Sequence, residues 1–334
     1  MKRTLGRTDL AVSPICFGAW ALGGTGWGEA DDAASVAAIR AGFEAGITAV
    51  DTAPVYGFGR SERVVGEALR DPALRGRLTV LTKVGIRWDD EQERGAPFFQ
   101  ARIDGRRVQV YRNSRPDSLR LEVERSLARL GVEALDLAQV HWPDPTTPLA
   151  DSLGTLVELR AAGKLCAIGV SNFGPALLDE ARAALGDVPL ASVQSRYSLV
   201  HREIEAAVLP YAREHGLGVL AYSPLGRGIL TGRVTLTRRF PRGDQRRGHA
   251  DFRPWKRWAA LRGLRRAVAP VARAHGVTPG QVVLAWTAAQ PGITGVLAGA
   301  RTAEQARENA AAMRIELAPE ELRAIAGAFA GPRK

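Results

Sequence analysis

The sequence predicts an α/β protein built as a closed barrel of eight parallel strands, each followed by a helix: a (β/α)8, or TIM, barrel. Apolar runs of strand length alternate with helical patterns eight times along the 334 residues. The strands are too apolar to have one face in water, which favours a parallel sheet covered by helices. The rival is an open doubly wound sheet, which for nucleotide binding should show G-x-G-x-x-G after its first strand. The glycines between residues 18 and 28 never take that spacing, so the closed barrel is favoured.

The elements follow one another in order along the chain. Residues 4–5 and 10–12 flank a turn-like stretch and predict a small N-terminal β-hairpin that covers part of the barrel. The predicted strands are residues 15–17, 47–50, 78–84, 135–140, 167–170, 191–194, 218–222 and 295–298. The predicted helices are residues 32–45, 62–69, 117–130, 149–162, 175–185, 203–215, a stretch after about 255, and 302–312. No Pro/Ser-rich linker interrupts the chain, so residues 1–334 are expected to form a single domain.

Two longer interruptions, about 87–115 and about 225–254, each follow a predicted strand. Loops at the C-terminal ends of barrel strands are where sites are built in this architecture. The sequence therefore predicts that these long strand-end loops border the functional site.

Composition and charge restrict the class of partner. The net charge of +11 comes almost wholly from arginine, since only five of the 46 basic residues are lysines. These residues look scattered, so a compositional bias towards Arg is favoured over a nucleic-acid surface, although a polyanionic ligand stays compatible with the charge. Cys16 and Cys166 lack paired spacing and are expected to be buried thiols. Because no signal-length or membrane-spanning apolar run is present, we expect a cytoplasmic protein that binds neither membranes nor nucleic acid.

Four ionisable side chains are predicted to meet at one end of the barrel. Asp51 and Tyr56 follow the second strand, Lys83 lies on the third, and His141 follows the fourth. A Tyr hydroxyl, whose ordinary pKa is about 10, is a poor acid at neutral pH and needs nearby positive charge or a proton relay. We expect the Lys83 ammonium to depress the pKa of Tyr56, with Asp51 holding that ammonium in place. His141 would hydrogen-bond a substrate oxygen.

Each of these residues also has an ordinary structural explanation. A strand-end Asp is often a cap, a Tyr there often only packs, and a lone Lys usually extends along the surface. A structural role is also the usual one for a histidine such as His141, and no role is assigned to His201, His215, His249 and His275. Metal binding is a further rival for Asp51 and His141, but no third ligand appears at a recognisable spacing, so no metal is predicted. The joint occurrence of four such residues at strand ends favours catalysis.

At this point the chain is identified as similar to the aldo-keto reductase family, whose fold is a (β/α)8 barrel with an N-terminal hairpin. The matching stretches are residues 51–61 (DTAPVYGFGRS), 81–83 (LTK), 135–144 (LDLAQVHWPD), 163–173 (GKLCAIGVSNF), 222–226 (YSPLG) and 299–301 (GAR), with Gln305, Glu308 and Asn309. The wording at 18–20 (GAW) and 141–145 (HWPDP) looks most like bacterial members. The resemblance covers nearly the whole chain.

The resemblance implies a catalytic tetrad of Asp51, Tyr56, Lys83 and His141, with Tyr56 as general acid for carbonyl reduction and hydride supplied by a nicotinamide. It also implies a set of cofactor-binding residues around the barrel: Gly18, Trp20, Asp51, Ser171, Asn172, Gln194, Tyr222, Ser223, Leu225, Arg227, Gly228, Gly299, Arg301, Gln305, Glu308 and Asn309. Among these, Ser171, Asn172 and Gln194 would hold the carboxamide and Tyr222 would stack on the nicotinamide ring. Residues 223–228 match the segment along the pyrophosphate, which would make the loop a belt whose closure limits turnover.

The residues from Gly299 to Gln305 resemble the family's adenosine-phosphate site, and Glu308 and Asn309 are placed for the adenine. Arg301 is expected to open the last helix, where a guanidinium beside a helix N-terminus suits a phosphate. The commonest family sequence has Lys-Ser before this helix and an Arg at the position of Gln305. This chain therefore has one positive charge here, that of Arg301, where other members have more. NADPH is predicted because Arg301 can clamp a 2′-phosphate, with NADH possible at weaker affinity.

The predicted substrate is a small carbonyl compound. Aromatic residues in strand-end loops are expected to line the carbonyl pocket, namely Trp20, Tyr56, Trp88 and Trp142, with Trp27 nearby and His141 at the oxygen; they favour an aromatic or medium-chain aldehyde or ketone. The Arg-rich loop at 87–115 would instead favour anionic substrates. The predicted function is NADPH-dependent reduction of aldehydes or ketones to alcohols. The alternatives are a nucleotide-binding regulator on the same barrel and, ranked last, a nucleic-acid-binding protein; a monomer is favoured.

Overall fold

The computed structural model describes residues 2–28, 30–90, 92 and 94–329. Its strands, in chain order, are β1 (Arg3–Thr4), β2 (Ala11–Val12), β3 (Ile15–Gly18), β4 (Ala49–Asp51), β5 (Thr79–Val84), β6 (Ile86–Arg87), β7 (Ala96–Ile103), β8 (Arg106–Arg112), β9 (Leu135–Val140), β10 (Leu165–Ser171), β11 (Leu190–Arg196), β12 (Gly218–Tyr222) and β13 (Gly295–Gly299). Its α-helices are α1 (Asp32–Glu44), α2 (Arg60–Ala68), α3 (Pro116–Leu130), α4 (Leu149–Ala161), α5 (Pro175–Leu185), α6 (Val208–His215), α7 (Pro254–Gly263), α8 (Ala269–Ala274), α9 (Pro279–Ala288), α10 (Ala303–Ala311) and α11 (Pro319–Phe329). The predicted alternation of strands and helices is confirmed.

Eight of these strands close into the predicted parallel barrel, in the order β3, β4, β5, β9, β10, β11, β12, β13 and back to β3. The barrel closes where β13 pairs with β3, with Val296 opposite Ile15 and Gly299 opposite Gly18. Apolar side chains of the strands and helices pack into one large core between the barrel and the surrounding helices. The (β/α)8 fold predicted from the double-sided apolar strands is therefore confirmed.

The predicted N-terminal hairpin is present, and it closes one end of the barrel. Strands β1 and β2 are antiparallel, and Leu5 and Val12 join Cys16 in an apolar cluster with side chains of the barrel strands. Gly6 has φ +62°, and a Cβ on it would lie 2.3 Å from the carbonyl oxygen of Ala191. The turn therefore needs glycine both for its backbone conformation and for its close approach to β11. Polar side chains lie at the opposite end of the barrel, where the strands finish.

The long interruption at 87–115 contains a sheet of its own. Strands β6, β8 and β7 form a three-stranded antiparallel sheet, and Asp104 and Gly105 turn the β7–β8 hairpin with φ +49° and +79°. Two successive positive φ values are those of a type I′ turn, for which Asp-Gly is a preferred pair. The hairpin could have been predicted from this pair, which lies between runs rich in Phe, Val and Tyr.

Other local features depart from the sequence predictions. The helix expected at 203–215 is divided into a 3-10 segment, Glu203–Ala206, and α6, because Ala207 has φ −140°. Helix α11 was not predicted, and α10 is therefore not the last helix. Cys16 is buried as expected, but Cys166 is exposed, because an apolar run does not show which residues at the start of a strand are covered. Among the described residues, no helix is long and apolar enough to cross a membrane.

A buried carboxyl group fixes the strand-end loop after β5. Glu122 of α3 is 3% exposed and accepts the backbone N–H of Gly85 at 3.1 Å from each of its oxygens. Ser118 also donates to it at 3.4 Å, and Ser118 in turn accepts from Arg87. Burial raises the pKa of Glu122 to about 8, although the nearby Arg87 and the backbone N–H groups oppose the shift. At neutral pH, Glu122 is therefore either protonated or a buried carboxylate whose charge costs free energy.

This carboxyl group should make stability depend on pH. Its folded pKa of about 8 lies above the ordinary 4.5, so the folded state holds the proton more tightly and loses stability as pH rises through that interval. Glu122→Gln cannot ionise and keeps an acceptor for Gly85. We expect the free energy of unfolding of the variant, relative to that of the wild type, to rise by an amount on the order of 1–4 kcal/mol between pH 5 and pH 9.

Urea unfolding at a series of pH values measures this difference. Glu124→Gln, on the exposed side of the same helix, is the matched control and should show no such trend. A difference between Glu122→Gln and the wild type that stays constant with pH would contradict the raised pKa.

Candidate active site

A fully buried ion pair lies at the end of the barrel where the strands finish. Lys83 on β5 is 0% exposed, and its Nζ donates to both carboxylate oxygens of Asp51, at 2.8 and 2.7 Å, and to the carbonyl of Thr52 at 2.9 Å. These three bonds use all the N–H groups of an ammonium. Burial lowers the pKa of Lys83, while the Asp51 carboxylate raises it. The prediction that Asp51 holds Lys83 is confirmed, and a surface-extended Lys83 is excluded.

Tyr56 lies over this pair. The Nζ of Lys83 is 4.9 Å from the centroid of the Tyr56 ring. The close packing of the loops after β3 and β4 brings Tyr56 here: Gly57 has φ +65°, and a Cβ on it would be 2.2 Å from the carbonyl oxygen of Gly23. Only glycine fits such an approach of two backbones.

The pKa of Tyr56 is raised well above its ordinary value, first by burial and then by the Asp51 carboxylate and Tyr222. The prediction that Lys83 depresses the pKa of Tyr56 is therefore wrong for the structure. The reason is that burial disfavours the phenolate and the Asp51 carboxylate adds to this effect, so the nearby ammonium does not bring the pKa below its ordinary value. The phenol consequently keeps its proton at neutral pH.

His141 borders the same space. Its ring centroid lies 5.8 Å from that of Tyr56, with the rings nearly perpendicular, and its side chain is 9% exposed. Burial, and secondarily the charge of Lys83, hold the pKa of His141 well below its usual value. A neutral imidazole can donate one hydrogen bond to an oxygen atom without adding charge. The structure thus brings together all four ionisable residues predicted to meet here.

The predicted aromatic wall divides into an inner and an outer part. Trp20 is 6.1 Å from Tyr56 between ring centroids and 5.4 Å from Trp27. Trp88 packs on Phe58 at 5.3 Å, and Trp142 packs on Phe98 at 5.6 Å. Trp20 therefore lies against the tyrosine with Trp27 behind it, whereas Trp88 and Trp142 belong to separate aromatic pairs.

The residues predicted to hold a carboxamide form one hydrogen-bonded group beside the ion pair. Asn172 donates to the backbone carbonyl of His141 at 3.0 Å and to Ser171 Oγ at 3.0 Å, and accepts from the Tyr222 hydroxyl at 2.8 Å. Gln194 donates to Asp51 Oδ1 at 2.8 Å, so its amide N–H is already used within the protein. Asn172 has φ +65°, a conformation that Asn tolerates better than most residues.

The loop from β12 to α7, residues 223–253, approaches the loop after β3. Ser223 and Arg227 have φ +55° and +57°, and the neighbouring Gly228 has φ +96°. The Arg227 guanidinium lies 5.4 Å from the centroid of a Trp20 ring. Leu225 packs partly against the core. This irregular backbone matches the predicted phosphate segment in position, and it bridges two strand-end loops.

The predicted adenosine end lies beside α10. Arg301 donates to the carbonyl of Trp27 at 2.9 Å, and its backbone N–H is 2.8 Å from Gln305 Oε1. Asn309 donates to the carbonyl of Gly299 at 3.1 Å. Glu308, predicted to contact adenine, is paired with Arg233 at 2.8 Å and accepts from Thr278. Gly18 lies opposite both Gly299 and Asp51 in the barrel, which links this end to the ion pair.

Buried donors without partners occur in the loops around this region. Within the described residues, Trp27 Nε1, Arg227 Nε and Gln245 Nε2 are buried and make no hydrogen bond. All three belong to the two loops that meet over the end of the barrel. A ligand rich in acceptor oxygens, such as a dinucleotide with its phosphates, would satisfy them. The residues present therefore fit a nicotinamide dinucleotide. No three His, Cys, Asp or Glu side chains of the described chain form a metal-binding group.

Several residues at the site were not predicted. Phe58 and Phe98 complete the outer aromatic pairs, and Arg112 lies 5.6 Å from the Phe98 ring and donates to the carbonyl of Pro143. The Asp104–Gly105 pair was the available signal for the hairpin that carries Phe98. No sequence signal identified Gln245, which reaches the site only through the fold of a long loop.

A protein-family model described as the aldo/keto reductase family matches residues 14–329. The chain belongs to the aldo/keto reductase family. It is an NAD(P)H-dependent oxidoreductase, as the predicted resemblance implied, and its class uses nicotinamide cofactors.

Three relatives illustrate the similarity. The chain is 37% identical over 321 residues to the NADH-specific methylglyoxal reductase of Escherichia coli (strain K12), covering 95% of this chain and 94% of that protein. It is 36% identical over 294 residues to the aldo-keto reductase YhdN of Bacillus subtilis (strain 168), covering 88% and 83%. The structure of the glycerol dehydrogenase AKR11B4 from Gluconobacter oxydans superimposes with a TM-score of 0.85 at 36% identity, covering 98% and 94% of the two chains.

The ion pair gives a testable stability prediction. Asp51→Asn would leave Lys83 buried without a counter-charge, so folding would have to bury an unpaired ammonium or remove its proton, and breaking one side of a buried pair costs about 3–5 kcal/mol. The double variant Asp51→Asn/Lys83→Met removes both charges and should recover at least half of that loss. Free energies of unfolding in urea measure both effects.

Glu158→Gln serves as the control, since it breaks the exposed pair with Arg120 and should change stability by less than about 0.5 kcal/mol. A double variant as unstable as Asp51→Asn alone would show that the loss does not come from an uncompensated charge.

Proposed function

We propose that the protein reduces aldehydes or ketones to alcohols with NADPH, and that Tyr56 donates the proton. The observation that carries this proposal is the buried Asp51–Lys83 pair under a protonated Tyr56, with the neutral His141 beside it. When bound, the reduced nicotinamide would supply hydride to the carbonyl carbon. All proposed site residues come from one chain, so a single catalytic domain acting as a monomer suffices.

In this proposal each residue has a distinct task. Tyr56 holds its proton until negative charge develops on the substrate oxygen, and then transfers it from its hydroxyl. His141, being neutral, donates a hydrogen bond that orients the carbonyl oxygen. Lys83 acts by its positive field, because its N–H groups are bonded to Asp51 and to the Thr52 carbonyl. Asp51 keeps the ammonium charged in a site that burial would otherwise neutralise.

The aromatic pairs around this group favour a substrate with an apolar substituent. Trp20 stands next to Tyr56, and the Phe58–Trp88 and Phe98–Trp142 pairs extend the apolar surface outward. We therefore propose an aldehyde or ketone carrying an aromatic or medium-length apolar group. Two of the relatives are named for methylglyoxal and glycerol, which are small and polar, and these compounds are the natural comparison.

A substrate panel tests the activity directly. Purified protein is mixed with NADPH or NADH and with benzaldehyde, hexanal, methylglyoxal or glyceraldehyde, and oxidation of the cofactor is followed by absorbance. The proposal expects turnover, with the highest kcat/KM for the apolar aldehydes. Tight cofactor binding without oxidation by any carbonyl compound would favour the nucleotide-binding regulator instead.

The proposal of NADPH rests on Arg301. Arg301 directly precedes Thr302, the N-cap of α10, and a helix N-terminus together with an arginine suits a 2′-phosphate. The E. coli relative is named as NADH-specific, so the preference has to be measured on this chain.

Tyr56→Phe should lower kcat for carbonyl reduction about 10²- to 10⁴-fold, the range that a positioned proton donor contributes. The dissociation constant of NADPH, measured by fluorescence titration, should change less than about twofold, since only the hydroxyl is removed. Tyr211→Phe, which removes a hydroxyl bonded to Asp179 on the outer helices, is the control and should leave kcat unchanged. Equal losses of turnover and of cofactor binding in Tyr56→Phe would refute the assignment.

Arg301→Ala should raise the dissociation constant of NADPH by about tenfold or more, the scale of a lost charge-assisted hydrogen bond. The variant also loses the bond to the Trp27 carbonyl, which would weaken both cofactors alike. The ratio of the NADPH and NADH dissociation constants therefore measures the contribution of the 2′-phosphate, because an effect common to both cofactors cancels. Arg307→Ala, exposed on the same helix, is the control. An unchanged ratio in Arg301→Ala would move the 2′-phosphate site elsewhere.

A further inference from the structure

The loop from β12 to α7 concentrates positive charge. Between residues 226 and 257 the sequence has ten basic residues and two acidic ones. The expectation that the basic residues are scattered is wrong for this segment, because the fold gathers six arginines around one cavity of about 420 Å³. These are Arg238, Arg239, Arg242, Arg246, Arg247 and Arg257, here called the arginine cavity.

Two of the six arginines are held rigidly. Arg246 forms a two-pronged pair with Asp244, with its Nε 2.9 Å from Oδ1 and its Nη2 2.6 Å from Oδ2, and its guanidinium lies 4.4 Å from the centroid of the Phe240 ring. Arg257 Nη1 donates to the carbonyls of Leu236 and Arg238 at 2.8 and 3.0 Å. The Nε of Arg257 is buried and has no partner in the described structure. Ordered guanidiniums lose little further entropy on binding a ligand.

The other four arginines form an uncompensated rim. Arg238, Arg239, Arg242 and Arg247 are exposed, and none of them makes an ion pair with a carboxylate of the described residues. Asp244 of the same loop is already paired with Arg246, and its pKa is lowered chiefly by that hydrogen bond, with a smaller contribution from the charge of Arg238. Like charges around one cavity repel each other, and a bound anion would relieve this repulsion.

We propose that the arginine cavity binds a small organic polyphosphate. Guanidinium forks match phosphate oxygens in geometry, and several of them around one cavity suit a ligand with clustered phosphoryl groups. Phe252 is buried, and Phe240 packs against it at 5.1 Å between ring centroids and lies 4.4 Å from the Arg246 guanidinium, so neither ring is placed to stack on a nucleobase. Recognition therefore depends on charge and hydrogen bonds. The six arginines line one local depression rather than an extended stripe, and this arrangement fits a small molecule better than a nucleic-acid backbone.

The cavity adjoins the proposed cofactor region but is lined by different residues. Gln245 donates its backbone N–H to the carbonyl of Gly26 at 2.8 Å, and Arg246 lies 5.4 Å from the centroid of a Trp27 ring. Trp27 in turn accepts from Arg301 through its carbonyl. A test must therefore separate a ligand of the cavity from the phosphates of the cofactor.

Isothermal titration of the full-length protein with sodium tripolyphosphate, in the presence and absence of saturating NADP⁺, tests the proposal. We expect one equivalent to bind in both conditions. Arg239→Gln/Arg242→Gln removes two rim charges and should weaken binding at least tenfold. Arg265→Gln/Arg266→Gln removes the same charge from an exposed pair outside the cavity and should bind as the wild type does. Both variants should retain wild-type carbonyl reduction. Because the titration measures binding and not turnover, its outcome does not depend on the proposed function.

Four results would overturn the proposal. Absence of tripolyphosphate binding would remove it outright. Equal weakening in both double variants would indicate a diffuse effect of net charge. Loss of tripolyphosphate binding when NADP⁺ is saturating would make the cavity part of the cofactor site. Tighter binding of a DNA oligonucleotide than of tripolyphosphate, abolished by Arg239→Gln/Arg242→Gln, would assign the surface to nucleic acid.

Discussion

The site depends on a single electrostatic constraint, the placement of the Lys83 ammonium inside the barrel without access to water. An isolated ammonium in such a position would lose its proton, because burial disfavours the charged form. Asp51 prevents this loss by accepting two of its three hydrogen bonds, and the Thr52 carbonyl accepts the third. Asp51 is itself held by Gln194, which reaches it from β11. The pair thus ties three barrel strands, β4, β5 and β11, to one geometry.

The barrel interior is accordingly divided into two layers. At the end closed by the N-terminal hairpin, Leu5 and Val12 pack with apolar strand residues such as Leu137. At the other end, the same strands present charged and amide side chains that hydrogen-bond to one another, among them Lys83, Asp51 and Gln194. An apolar layer of this kind anchors the strands without any directional bonds, so the polar layer can be specified by hydrogen bonds alone. The strand register then fixes the distance between Lys83 and Asp51, and no loop needs to do so.

This division explains which features the sequence could predict. Strand-end residues are predictable because parallel neighbours bring their C-terminal ends to one edge, and Asp51, Lys83 and His141 were located by that rule alone. The pKa of Tyr56 was not, since it depends on how deeply the phenol is buried and on the carboxylate of Asp51 beside it. The arginine cavity was not either, because six residues spaced irregularly over a loop meet only through that loop's conformation. The β7–β8 hairpin was the intermediate case, carrying a local Asp-Gly signal but no barrel periodicity.

The raised pKa of Tyr56 agrees with the proposed acid role. A phenol with a lowered pKa would be partly ionised at rest, and the site would then hold a phenolate facing the substrate oxygen. A phenol with a raised pKa is always protonated, and it transfers its proton only when the oxygen becomes an alkoxide, which is a stronger base than a phenolate. The positive field of Lys83, 4.9 Å from the ring centroid, stabilises the phenolate that this transfer leaves. The ion pair therefore contributes most after the proton has moved, which is the condition for stabilising a transition state more than a ground state.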